Sequence, residues 1–65
     1  MTPLRSSNLA AYEYDPERQE LRIMFHSGRT YTYGSVPETI AEGLGSASSP
    51  GQYFNNSIKG VYAER

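Results

Sequence analysis

Large apolar side chains recur at every second position from residue 20 to residue 26. Leu21, Ile23 and Phe25 point one way, and Arg22, Met24 and His26 the other. A period of two marks a strand, so Glu20 to His26 is predicted as one. Leu9 to Tyr14 is a second run of the same kind. Between them Asp15-Pro16-Glu17-Arg18 reads as a turn, because Pro presets φ and Asp can bond the backbone ahead of it. A four-residue loop, 16–19, pairs Tyr14 with Leu21, Tyr12 with Ile23 and Ala10 with Phe25. That register gathers the larger apolar side chains of both strands on one face, with Leu9 and Met24 excepted.

A third strand, Arg29 to Tyr33, follows Ser27-Gly28. The length of the connecting loop decides where its tyrosines point. A two-residue loop pairs His26 with Arg29 and turns Tyr31 and Tyr33 away from Ile23 and Leu21. A three-residue loop, His26-Ser27-Gly28, pairs Phe25 with Arg29 and puts both tyrosines on the apolar face. Such loops commonly end in a left-handed residue, which suits Gly28, whereas Ser at the first position of a type I′ turn is strained. The turn preferences favour the three-residue loop.

From residue 35 the period lengthens. Ser35-Val36-Pro37-Glu38 has capping-box spacing with Pro in the first turn. Val36, Ile40, Leu44 and Ala47 then form one narrow apolar stripe at helical spacing, with Gly45 as a stop. Gly43 inside this helix costs roughly 1 kcal/mol against Ala, so the helix needs the sheet to hold it. Ser49-Pro50-Gly51-Gln52 repeats the start signal, and Phe54, Ile58 and Tyr62 follow at i, i+4 and i+8, frayed by Gly60. The expected fold is α+β: a three-stranded antiparallel β-meander with two short C-terminal helices packed on one face. Residues 1–7 read as a polar lead-in and 8–65 as a single domain.

Composition narrows the chemistry. Of 65 residues only thirteen are Val, Ile, Leu, Met or Phe, so the six tyrosines must help to fill the core. There is no Cys, which removes disulfides, thiolate metal sites and thiol catalysis. With one His and one Asp, dense metal clusters are excluded, and no metal or cofactor is expected. No apolar run approaches the roughly 20 residues of a membrane span and no signal peptide opens the chain, so a cytoplasmic setting is the default expectation. A Ser-His-Asp triad would need Asp15 and His26, which the hairpin places at opposite ends of two strands, roughly 20 Å apart. Neither a nucleophile elbow nor a phosphate-binding glycine loop is present, and an enzyme is not expected.

The ordered series Ser6-Ser7-Asn8-Leu9, Tyr14-Asp15, Phe25-x-x-Gly28, Tyr31-Thr32-Tyr33, Val36-Pro37, Ala47-Ser48, Gly51-x-Tyr53-Phe54-Asn55, Ile58 and Tyr62 resembles the KTSC domain family. That family is named for its occurrence at the C-terminus of some lysyl-tRNA synthetases and also includes small free-standing proteins of bacteria and phages. The resemblance runs from about Ser6 to Tyr62. It implies no catalytic activity, and through the synthetase context it suggests RNA as a ligand class. The chain departs from the family pattern where Glu13 replaces a common Gly, and where Pro50, Asn56 and Ser57 stand in place of basic residues.

Six Lys and Arg against seven Asp and Glu give a net charge of −1, so RNA binding would require the few cations to cluster in space. The residues expected to carry it are Arg22, Arg29 and Lys59 on phosphate, Tyr53 as a stacking ring, and Asn55 on a base edge. Two of these have a plainer alternative. Arg22 could belong to a solvated sheet face, and Asn55 could fix a local turn. Tyr31 and Tyr33 are stacking platforms only if the shorter hairpin loop holds; otherwise they are core wall. A rival function is a protein-interaction or self-association module, using exposed edges of the first and third strands.

Overall fold

The computed structural model describes residues 1–65. It contains six elements: β1 (Thr2–Pro3), β2 (Leu9–Asp15), β3 (Glu20–Phe25), β4 (Thr30–Tyr33), α1 (Glu38–Ser46) and α2 (Pro50–Ser57). The strands form one antiparallel sheet in the order β1-β2-β3-β4, so the sheet has four strands rather than the three expected. The extra strand comes from the polar lead-in. Its two residues, one a proline, carry no periodic signal, and proline is tolerated there because β1 lies at an edge.

Both hairpin registers follow the sequence pattern over most of their length. Tyr14 pairs with Leu21 and Tyr12 with Ile23; across the next hairpin Ile23 pairs with Tyr31 and Leu21 with Tyr33. The Phe25 N–H donates to the Arg29 carbonyl at 2.8 Å, which closes the three-residue loop, and Gly28 has φ +94°. The Asp15 carboxylate accepts from the Glu17 N–H at 3.0 Å, fixing the first turn. One pairing differs. Phe25 faces Leu9 instead of Ala10, because the ladder shifts between Leu9 and Ala11. Ala10 is the extra residue of this bulge, and the bulge turns Leu9 inward, where it is buried.

The core lies between the sheet and the helices. Leu9, Leu21, Ile23 and Tyr33 from the sheet side meet Val36, Ala41, Leu44, Phe54 and Ile58. Tyr33 is therefore core, and Tyr31 is half-buried against it, as the longer loop requires. Phe54 makes edge-on contacts with both Phe25 and Tyr33, at ring-centroid distances of 5.6 and 5.8 Å.

The helix starts depart from the capping-box expectation. The first helix begins at Glu38 with Pro37 in the cap position, and no side chain caps it. Ser35 instead adopts φ +58°, a left-handed turn. That turn swings Val36 under the sheet, where its N–H donates to the Gln19 carbonyl at 2.8 Å and its carbonyl accepts the Tyr14 hydroxyl at 2.6 Å. With Ser35 in that turn and Pro37 in the cap position, the Ser35–Glu38 capping box does not form. At α2 the cap position is Ser49 and Pro50 opens the helix, as the sequence indicates, but the Ser49 hydroxyl makes no capping bond.

Both edges of the β2–β3–β4 meander are covered in part. On one side β1 pairs with β2. On the other, Glu64 bridges Tyr33, the Gly34 N–H donates to the Ala63 carbonyl, and the Arg65 N–H donates to the Thr32 carbonyl. The open edges expected of the first and third predicted strands are therefore partly occupied by the chain's own ends.

Candidate functional site

At the end of the sheet away from the Asp15 turn, three segments converge on a groove of about 300 Å³. The Ser7-Asn8 turn forms one wall, the His26-Ser27 hairpin tip another, and the exposed side of α2 at Asn55, with Lys59 in the turn that follows it, the third. Leu9, Phe25 and Phe54 supply its apolar floor. A volume near 300 Å³ lies at the small end of natural ligand pockets.

The turn that builds the first wall is locally encoded. The Ser6 hydroxyl oxygen accepts from the Asn8 and Leu9 N–H groups, both at 3.2 Å. His26 then ties the turn to the hairpin: its N–H donates to the Asn8 carbonyl, and its Nε2 donates to the Ser6 carbonyl at 2.9 Å. Because a carbonyl can only accept, Nε2 must carry a proton. His26 and Asp15 stand at opposite ends of the β2–β3 hairpin, so they form no triad.

The five residues singled out in the sequence divide. Asn55 and Lys59 come together on the groove. Asn55 makes no side-chain hydrogen bond within the chain, so its amide is not spent on a local turn. Arg29 flanks the groove, cross-strand from Phe25, with its guanidinium donating to the Tyr31 hydroxyl at 3.4 Å. That bond is the main cause of a raised Arg29 pKa.

Arg22 is elsewhere. It lies on the open sheet face, 3.2 Å from Glu13, in a hollow shared with Asp15, Glu20 and Arg18. Tyr53 is not a free ring. It is half-buried and turned onto α1, where its hydroxyl donates to the Ile40 carbonyl at 2.9 Å beside Gly43. Desolvation by that packing, with Tyr62 nearby, raises its pKa.

Charge is segregated. Arg18 and Arg65 each lie 4.0 Å from a carboxylate, Asp15 and Glu20 respectively, and Arg22 is paired with Glu13. Arg29 has its bond to Tyr31. Arg5 and Lys59 are the two cations with no such partner. Lys59 stands on the groove just described, and Arg5 on a mainly polar hollow that adjoins it. The two hollows share Ser7, Asn8, Gly51 and Asn55, and no Asp or Glu lines either of them. Sequence reasoning missed Arg5, Asn8 and His26. The Ser6-Ser7-Asn8 turn and the single His were visible, but their convergence on α2 is tertiary.

A small four-stranded sheet with two helices on one face is thus the class of domain to which this chain belongs, and comparison with known proteins places it further. The KTSC domain family matches residues 5–62, and the chain belongs to that family. A lysine–tRNA ligase of a Nostoc species is 46% identical over 56 residues, which is 86% of this chain and 10% of the ligase. An uncharacterised protein of Stutzerimonas stutzeri is 43% identical over 56 residues, 86% of this chain and 79% of that protein. The crystal structure of a KTSC domain protein from Yersinia pestis superposes with a TM-score of 0.94 at 38% identity, covering 98% of this chain and 90% of that one. The chain spans about a tenth of the length of the ligases it matches. No helix is long and apolar enough to cross a membrane.

Proposed function

We propose that this KTSC domain is a non-catalytic RNA-binding module and that the groove at α2 is its contact surface. One observation carries the reading: the two Lys or Arg side chains without partners, Lys59 and Arg5, line adjoining hollows free of carboxylates, in a chain whose net charge is −1. Affinity for RNA comes largely from phosphate contacts, which need cations not already neutralised. The apolar floor at Phe25 gives a base a surface to stack on, and the free amide of Asn55 offers both a donor and an acceptor to a base edge. Relatives of the chain include lysine–tRNA ligases, enzymes named for an RNA. Of the residues expected from the sequence, Asn55 and Lys59 make the contact and Arg29 flanks it. Arg22 serves its ion pair and Tyr53 serves the helix packing.

The test is an amide-resolved NMR titration with single-stranded RNA and with tRNA, at low and at physiological salt, with matched DNA as control. Localised shifts at Asn8, His26, Asn55 and Lys59 that persist at physiological salt are the expected result. Absence of shifts at either salt, or shifts centred on Arg22 and the open sheet face, would refute the assignment.

A further inference from the structure

Resting on that reading, we infer that the groove takes a short run of single-stranded RNA laid lengthwise along α2, with one base unstacked into the Phe25 hollow and the flanking phosphates held by Lys59 at one end and Arg5 at the other. The two hollows, about 300 and 400 Å³, are continuous through Ser7, Asn8, Gly51 and Asn55. Their chemistry differs in a way that matches the two halves of a nucleotide. The hollow with the phenylalanine floor suits a base. The other is mainly polar, with Pro50 as its one ring; Arg5 and the hydroxyls of Ser48 and Ser49 suit a phosphate and its sugar.

Length sets the size of the ligand. The eight residues of α2 rise about 12 Å, and Arg5 and Lys59 lie towards its opposite ends. An unstacked strand is more extended than the roughly 3.4 Å per phosphate of a duplex strand, so that separation is covered by no more than about three to four nucleotides. Shape selects the strand state. The Phe25 floor lies between the hairpin tip and α2, and a base stacks on it only when it is unpaired and turned out of its own stack.

The experiment measures fluorescence anisotropy of the whole chain with a 12-nucleotide single-stranded RNA and with a 12-base-pair RNA duplex, across a series of salt concentrations. The single strand is expected to bind at least about tenfold more tightly than the duplex, since only it can deliver a base to the hollow. Arg5→Ala and Lys59→Ala should each reduce the slope of log K against log salt by about 0.7, and the double variant by about 1.4. Asn55→Ala should leave that slope unchanged and alter the preference between oligo(A) and oligo(U). All three side chains are exposed, and unchanged amide spectra will confirm that the variants fold. RNA binding in which the duplex competes equally, or in which Arg5→Ala leaves the slope intact, overturns this inference while leaving the RNA reading standing. No binding of either RNA at low salt overturns both.

Discussion

Tyr53 shows how one side chain can change its role once a neighbouring element is in place. Its helical position opposite Phe54 points it away from the sheet, and a helix on its own would leave the ring in solvent. Here α1 lies alongside, and Gly43, with no Cβ, leaves the space that the ring occupies. The hydroxyl then reaches the Ile40 carbonyl. Tyr12 uses the same device at Gly45, and Tyr14 bonds Val36 across the bottom of the sheet. These glycines were legible in the sequence only as a weak point of the helix, Gly43, and as its stop, Gly45. Their use as seats for tyrosines depends on how α1 lies against α2 at Gly43 and against the sheet at Gly45, which no local pattern records. A sign test follows. Gly43→Ala should raise helix propensity by up to about 1 kcal/mol, but its methyl group would overlap the Tyr53 hydroxyl and ring and break the bond to Ile40. We expect a net destabilisation of about 1–2 kcal/mol in the native chain. In a Tyr53→Ala background the same substitution should stabilise. Urea denaturation of the four proteins measures both signs, and a stabilising Gly43→Ala in the native chain would contradict the packing.

At the scale of elements, the bulge in β2 separates what the sequence pattern could deliver from what it could not. Strict alternation from Tyr14 back to Leu9 puts Leu9 on the open face. The observed shift at Ala10 puts it in the core, with almost no exposure, at 1%. Ala10-Ala11 is a pair of small residues with no preference for either face, so nothing local marks where the phase changes. The hairpins, in contrast, were readable because each turn demands a particular residue: Asp15 to accept from the backbone ahead, Gly28 to take a positive φ. Strand β1 and the uncapped start of α1 were not readable, since both are set by tertiary pairing. The bulge makes a prediction that a straight strand does not. Leu9→Ala should cost about 2–4 kcal/mol, the range for an emptied core position, and should leave a domain of this size largely unfolded at 37 °C. Met24→Ala, on the half-exposed outer face, should cost less than about 1 kcal/mol. Thermal melts by circular dichroism will rank the two, and equal midpoints would mean that Leu9 does not reach the core.

For the molecule as a whole, a core short of aliphatic side chains has consequences for pH. Tyr14, Tyr33 and Tyr53 all have pKa values raised above the ordinary 10, in each case chiefly through desolvation. Glu38 then Asp15 add to the rise at Tyr14, Glu64 then Tyr31 at Tyr33, and Tyr62 at Tyr53. The native state therefore prefers the neutral phenol more than the unfolded chain does. Below about pH 10 the phenols are neutral in both states and the full stability is present. Above it the unfolded chain loses protons that the folded chain retains, so stability falls as pH rises through the raised native values. Ionisation also removes the protons that Tyr14 and Tyr53 donate to Val36 and Ile40. The partly covered sheet edges add to the same dependence, because Tyr33 bridges Glu64, and a phenolate there would face a carboxylate on the segment that closes the β4 edge. Urea midpoints measured from pH 7 to pH 11.5 should stay level to about pH 9.5 and then decline. Tyr53→Phe should make the decline shallower, because one of the three groups can no longer ionise. A midpoint that holds steady to pH 11.5, or a decline that Tyr53→Phe leaves unchanged, would mean that these phenols are solvated and that the tyrosines do not share the work of the core.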